Sequence, residues 1–198
     1  MKEMDTESLA KKAINDEKFR SELLNNLLSK EDSIRFNSFN VLLIITKEKP
    51  ELLYPQWNFI ADFLDSDNSY RKLIAVHLLA NLTKVDSKNR FELIFEKFYG
   101  LLDNSVIIAS HLASNSGIIV KAKPNLETKI TNKLLDLEKS AHKHRDLIIG
   151  GAIEAFNEFY KESVHKSEIM NFVQNQKNSS SPKTRKIVKK FIKKWAST

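Results

Sequence analysis

A chain of 198 residues that is 41% apolar and 29% charged can bury a sizeable core and fits one helix-rich domain. Four glycines and four prolines are too few for a sheet protein turning every roughly eight to twelve residues, and the lack of cysteine excludes disulfides, thiolate metal sites and cysteine nucleophiles. The net charge of +7 sits at one end: no acid follows Glu168, and the last thirty residues hold eight cations, leaving −1 for the rest.

No signal-peptide pattern opens the chain, and its longest apolar run, residues 41–45, is far below the ~18 residues of a membrane span. A soluble, cytoplasmic protein is expected.

In chain order, apolar residues at helical spacing predict a first helix over 7–28 and a second over 33–48, ended by Pro50. A helix over 51–64 tolerates Pro55 only in its first turn. The turn Asp65-Ser66-Asp67-Asn68 supplies N-cap residues for a helix over 69–84. Further helices are predicted over 89–102, 105–121, from Pro124 to about Leu137, 146–162 and 167–176. Ser181 and Pro182 then open a basic amphipathic helix over 182–196. These make ten helices in five pairs.

The pairs repeat. Asp67-Asn68-Ser69 returns as Asp103-Asn104-Ser105, 36 residues on, and Arg35 and Arg71 are also 36 apart. Ile74-Ala75-Val76-His77-Leu78-Leu79-Ala80-Asn81 is echoed by Ile108-Ala109-Ser110-His111-Leu112-Ala113-Ser114-Asn115. Residues 75–82 and 152–159 resemble the second helix of a HEAT repeat. Asp32 with Arg35, and the Asp-rich turn before Arg71, are similar to the Asp and Arg of that family's intra-repeat turn. Ile107 stands where the third Arg would fall, and the period lies at or below the short end of the family's range. The resemblance covers nearly the whole chain. It implies an all-α, right-handed α-α superhelix of about five HEAT-like helix pairs, in one domain over 1–198. Armadillo or another right-handed α-solenoid stays open, and tetratricopeptide repeats fit less well.

Such a solenoid leaves one ridge per second helix along a concave wall. The expected ridge carries Asn40 and Ile44, His77 and Asn81, His111 and Asn115, Glu154 and Glu158, then Lys190 and Lys194. Each pair is four apart and so shares a helix face. A polar ridge is what any solvent-facing stripe shows; the repeated His–Asn pair is the part that this leaves unexplained.

Catalytic chemistry finds little footing. The histidines lack His-x-x-x-His or Glu-x-x-His spacing, no Gly-x-Ser-x-Gly occurs, and four scattered glycines build no phosphate loop. No catalytic residue, metal or cofactor is expected. Gly150-Gly151 inside a helix suggests close helix crossing. The last helix sets Lys183, Arg185, Lys186, Lys189, Lys190, Lys193 and Lys194 around an apolar face, which suits an anionic partner or a charged solenoid cap. The alkylpurine DNA glycosylases are similar in fold only, because the ridge here is neutral to acidic over most of its length. The expected function is a non-enzymatic protein-interaction or scaffold module using the concave face; the alternative is nucleic-acid binding through the basic helix.

Overall fold

The computed structural model describes residues 5–195, and every regular element among them is helical. The predicted helix end at Ala196 lies outside the described residues. The chain divides into two compact units, one ending at Phe91 and the other beginning at Glu92.

In the first unit, α1 (Thr6–Asn15) and α2 (Glu17–Asn26) replace the single helix expected over 7–28. Asp16 breaks it. Its backbone is extended and its carboxylate accepts the Phe19 N–H at 2.9 Å, so a cap wins over helix continuation. Arg20 then donates to the Ala13 and Ile14 carbonyls that the break leaves open. α3 (Asp32–Glu48) follows as expected. The helix expected over 51–64 is instead a chain of 3₁₀ turns, Pro50–Leu52, Tyr54–Gln56 and Asp62–Asp65, around a five-residue α4 (Trp57–Ala61). Pro50 and Pro55 each sit at the start of a 3₁₀ turn, where a missing N–H costs no bond. α5 (Ser69–Leu82) is capped by Asn68, which accepts from the Tyr70 and Arg71 N–H groups.

α3 and α5 pack on each other, and α4 packs on α5. Leu42, Ile45, Leu53, Ile60, Leu78 and Leu79 are fully buried between them, each contributing about 1.5–3 kcal/mol of burial. Asp86 receives the Tyr54 hydroxyl at 2.7 Å and the N–H groups of Arg90 and Phe91 at 2.9 Å, which starts α6 (Arg90–Tyr99).

The second unit holds the rest of α6, then α7 (Val106–Ala122), α8 (Glu127–Leu135), α9 (Arg145–Phe159), α10 (Lys166–Asn175) and α11 (Pro182–Trp195). The long helices α7, α9 and α11 lie side by side with α9 in the middle. Glycine sets their spacing. A Cβ on Gly151 would sit 2.6 Å from the Ser110 carbonyl oxygen of α7, and one on Gly117 would sit 2.9 Å from that of Ala155 in α9. Gly150 faces the other neighbour, where a Cβ would meet the Thr184 hydroxyl at 2.8 Å. The helices can only approach this closely because these positions lack side chains.

A spatial period matches the sequence period. In the second unit, polar contacts join Lys121 to Glu158, Glu96 to Lys133 and Thr128 to His165, all 37 residues apart. Glu127 with Ser163 is separated by 36, and Asp146 with Thr184 and Asn157 with Trp195 by 38. In the first unit Thr46 and Asn81 bond across 35. Within each unit, therefore, helices a period apart stack with equivalent positions adjacent. Short helices also end alike, in 3₁₀ turns Asp62–Asp65, Gly100–Asp103, Asp136–Lys139 and Gln176–Asn178.

Candidate interaction face

The structure places the histidines and asparagines of the repeated pair differently. Asn81 is 1% exposed and donates to the Thr46 hydroxyl at 3.0 Å, so it is a core residue of the α3–α5 contact and not a solvent-facing one. The physical reason is that residues 78–82 of α5 are buried on every side, which leaves His77 half-buried against the Phe39 ring, with centroids 5.8 Å apart. Asn40 and Ile44 of α3 are half-buried too. Asn115 likewise turns inward, at 8% exposure. The open stripe of α7 runs through Ile107, His111, Ser114, Ile118 and Lys121, so Ser114 takes the place expected for Asn115. A step of four residues overshoots one turn by about 40°, and alternating steps of four and three keep a stripe straight.

Beside that stripe, α9 presents Leu147, Glu154, Asn157 and Glu158, and α11 presents Lys183, Ile187, Lys190 and Lys194. Glu158 pairs with Lys121 at 3.1 Å, across α7 and α9. Asn157 accepts from the Lys194 ammonium at 3.2 Å and the Trp195 indole N–H at 3.0 Å, across α9 and α11. His111 is held below its ordinary pKa, first because neighbouring atoms strip water from the ring and next because Lys183 repels its proton; Glu154 pulls the other way. His111, Lys183 and Glu154, one from each helix, therefore share a single electrostatic neighbourhood.

Between α9 and α11 lies a groove of about 370 Å³. Ile153, Ile187 and Phe191 form its apolar part; Glu154 and Asn157 stand on one wall, Lys190 and Lys194 on the other. Among the described residues no ion pair closes Glu154 onto Lys190.

Arg185, one of the residues expected to meet an anionic partner, bonds to its own turn. It is half-buried and donates to the Ser179 and Ser180 carbonyls at 2.5 and 3.2 Å. Arg145 does the same to Glu138 and Ser140, Arg35 to Ser29, and Arg71 to Leu28. These arginines satisfy turn carbonyls left without helical partners. Lys183, Lys186, Lys189, Lys190 and Lys193 remain exposed. With Lys194, also exposed, they form two stripes on α11: 190 and 194 line the groove with 183 in the same row, and 186, 189 and 193 lie on the other edge.

A second cleft of about 500 Å³ lies where α9 and α11 begin, lined by His142, Lys143, His144, Asp146 and Ser180 among others. Its polar groups serve the turn. His142 bonds to the Asn104 carbonyl and accepts the His144 N–H, and Asp146 accepts from the Ser179 hydroxyl and from the Ser180 N–H and hydroxyl. The Ser180 hydroxyl, opposed by partial burial and aided by the Ser180 N–H, holds the Asp146 carboxyl below its ordinary value. Among the described residues no group of three or more His, Asp or Glu is placed to hold a metal ion, and no helix is long and apolar enough to cross a membrane.

Sequence reasoning missed Asn157 and Lys121. Asn157 follows Glu154 by three and Lys121 follows Ile118 by three, so helical spacing alone would have found both.

No family model matches the chain, and no curated protein matches it. Among solved structures it is similar to the crystal structure of an engineered protein from the Northeast Structural Genomics Consortium. That likeness has a TM-score of 0.52 at 16% identity and covers 99% of this chain and 93% of the other. At that identity the likeness is one of fold.

Proposed function

We propose that this protein is a non-enzymatic interaction module of the cytoplasm, built as a short right-handed HEAT-like solenoid that presents the α7–α9–α11 face to a protein partner. The stacking of positions 35 to 38 residues apart supports the repeat reading. So do Arg145 and Arg185, which make the same bonds to turn carbonyls as Arg35 and extend its role to the last two helix pairs. One observation carries the function: α9 and α11 set Glu154 opposite Lys190 and Lys194 in one groove with no ion pair joining them among the described residues, and His111 and Lys183 share the electrostatic neighbourhood of Glu154. Charged groups arranged this way give a partner orientation and specificity.

The test is affinity capture with the full chain as bait, comparing wild type, His111→Ala/Glu154→Ala/Lys190→Ala, and an outer-face control, Leu93→Ala on exposed Leu93. Proteins retained by wild type and by the control but lost with the triple variant support the proposal. Identical capture by all three removes this face from the account.

The second stripe of α11 favours a different reading, nucleic-acid binding. Lys186, Lys189 and Lys193 are exposed along one edge. Phosphate contacts of this kind predict retention of single or double strands at ~50 mM salt and release by ~200 mM. Binding that survives Lys186→Gln/Lys189→Gln/Lys193→Gln unchanged ends that reading.

A further inference from the structure

We infer that the α9–α11 groove receives an extended acidic segment of the partner, with its carboxylates on Lys190 and Lys194 and one apolar side chain over Ile187. This inference rests on the interaction-module reading and names the chemistry of its partner.

The charge is the first reason. Lys190 and Lys194 line the groove on α11, and Lys190 meets no carboxylate among the described residues. With no acid after Glu168, the last helix cannot neutralise itself from within. Lys194 uses one bond on Asn157, and an ammonium has three donors, so it can still take a carboxylate.

Spacing is the second. Lys190 and Lys194 are about 6 Å apart along the helix axis, close to the ~6.6 Å spanned by two residues of an extended chain. Carboxylates two residues apart therefore reach both lysines. In an extended segment the intervening residue points to the opposite side, here toward Glu154, which calls for an N–H donor. The matching pattern is acid, donor, acid, with an apolar residue adjacent.

Size is the third. A groove of about 370 Å³ is at the small end of the ~300–1,000 Å³ range of ligand pockets. It has room for one or two side chains and excludes a whole helix. A nucleic acid fits less well: Glu154 and Glu158 repel a continuous phosphate chain, and Phe191, 2% exposed, offers no ring face for a base.

The experiment is fluorescence anisotropy with labelled ten-residue peptides and the full chain. One peptide alternates Glu with Gln and Leu, a second carries Lys in place of each Glu, and a third is neutral. The acidic peptide is expected to bind at ~50 mM salt and to weaken by ~200 mM. Lys190→Glu should weaken it at least tenfold, whereas Lys193→Glu, the same charge change on the other edge of the same helix, should alter it twofold at most. Backbone amide shifts should move in α9 and α11. Equal losses in the two variants would overturn the inference, as would displacement of the bound peptide by a tighter-binding single-stranded oligonucleotide. If only the basic or neutral peptide shifts α9 and α11, the acidic assignment is lost and the interaction module stands. If no peptide of any charge shifts α7, α9 or α11, both fall.

Discussion

Replacing Gly151 by alanine separates helix propensity from helix packing, because the two effects have opposite signs. In an open helix, Gly→Ala stabilises by about 0.5–1 kcal/mol through lost chain freedom in the unfolded state. Gly151 has no such room. Its added Cβ would sit 2.6 Å from the Ser110 carbonyl oxygen and 3.3 Å from both the Ala113 Cβ and the Ser114 nitrogen, and the first of these is backbone that cannot rotate away. Overpacking of this kind costs about 1–3 kcal/mol, and a backbone neighbour puts it near the upper end. Subtracting the propensity gain leaves a net loss of about 2 kcal/mol, a fall in Tm of about 4–8 °C for a chain of this length. Circular-dichroism melting with urea titration measures both. Gly100 is the control, since a Cβ added there would meet nothing within 4 Å, and Gly100→Ala should leave Tm level or slightly raised. A Gly151→Ala protein as stable as wild type would refute the close-crossing argument.

Gly150→Ala should also destabilise, through the Thr184 hydroxyl, and Thr184→Ala should recover part of that loss in a double-mutant cycle followed by urea unfolding. Thr46→Val strands the buried Asn81 amide and should cost about 1–3 kcal/mol, while Thr46→Val with Asn81→Leu should return near wild type in the same assay. Lys183→Gln should raise the His111 pKa and Glu154→Gln should lower it further, read from ring-proton NMR titrations; no movement in either would separate these residues. Asp146→Ala should cost about 0.5–2 kcal/mol and speed amide exchange at Ser180, because the carboxylate holds that turn. Asp146 is held low, so its contribution is complete above the ordinary 3.8 and is lost as pH falls through the lower folded value. Acid unfolding of Asp146→Ala should therefore show a shallower pH dependence.

Local chemistry was legible in the sequence wherever one residue decides the backbone. Asn68 and Ser181 were readable as caps, and their side chains accept the N–H groups of Tyr70 and Thr184. The 36-residue echo of Asp67 at Asp103 pointed to stacking, and contacts 36–38 residues apart supply it. Asp16 was missed because apolar periodicity runs straight through it; a cap residue inside a periodic stretch is ambiguous until its carboxylate finds the Phe19 N–H. Arg145 and Arg185 were missed as turn-binding residues because nothing in their spacing says which carbonyls lie within reach.

What the sequence determined by itself was that the chain is helical, where caps such as Asn68 and Ser181 lie, and that turn and helix motifs return at a near-constant interval. These depend on neighbours within a few positions, or on the repetition of such neighbours. Which polar residue faces water was decided only by tertiary structure. His111 and Asn115 are equally polar and one turn apart, yet only His111 is exposed. The difference lies in how closely α9 packs on α7, set by Gly117 and Gly151 from opposite sides of the contact, and in the angle at which a stripe of residues crosses that contact. The same packing brought Glu154 of α9 and Lys190 of α11 to one groove, 36 residues apart in the chain.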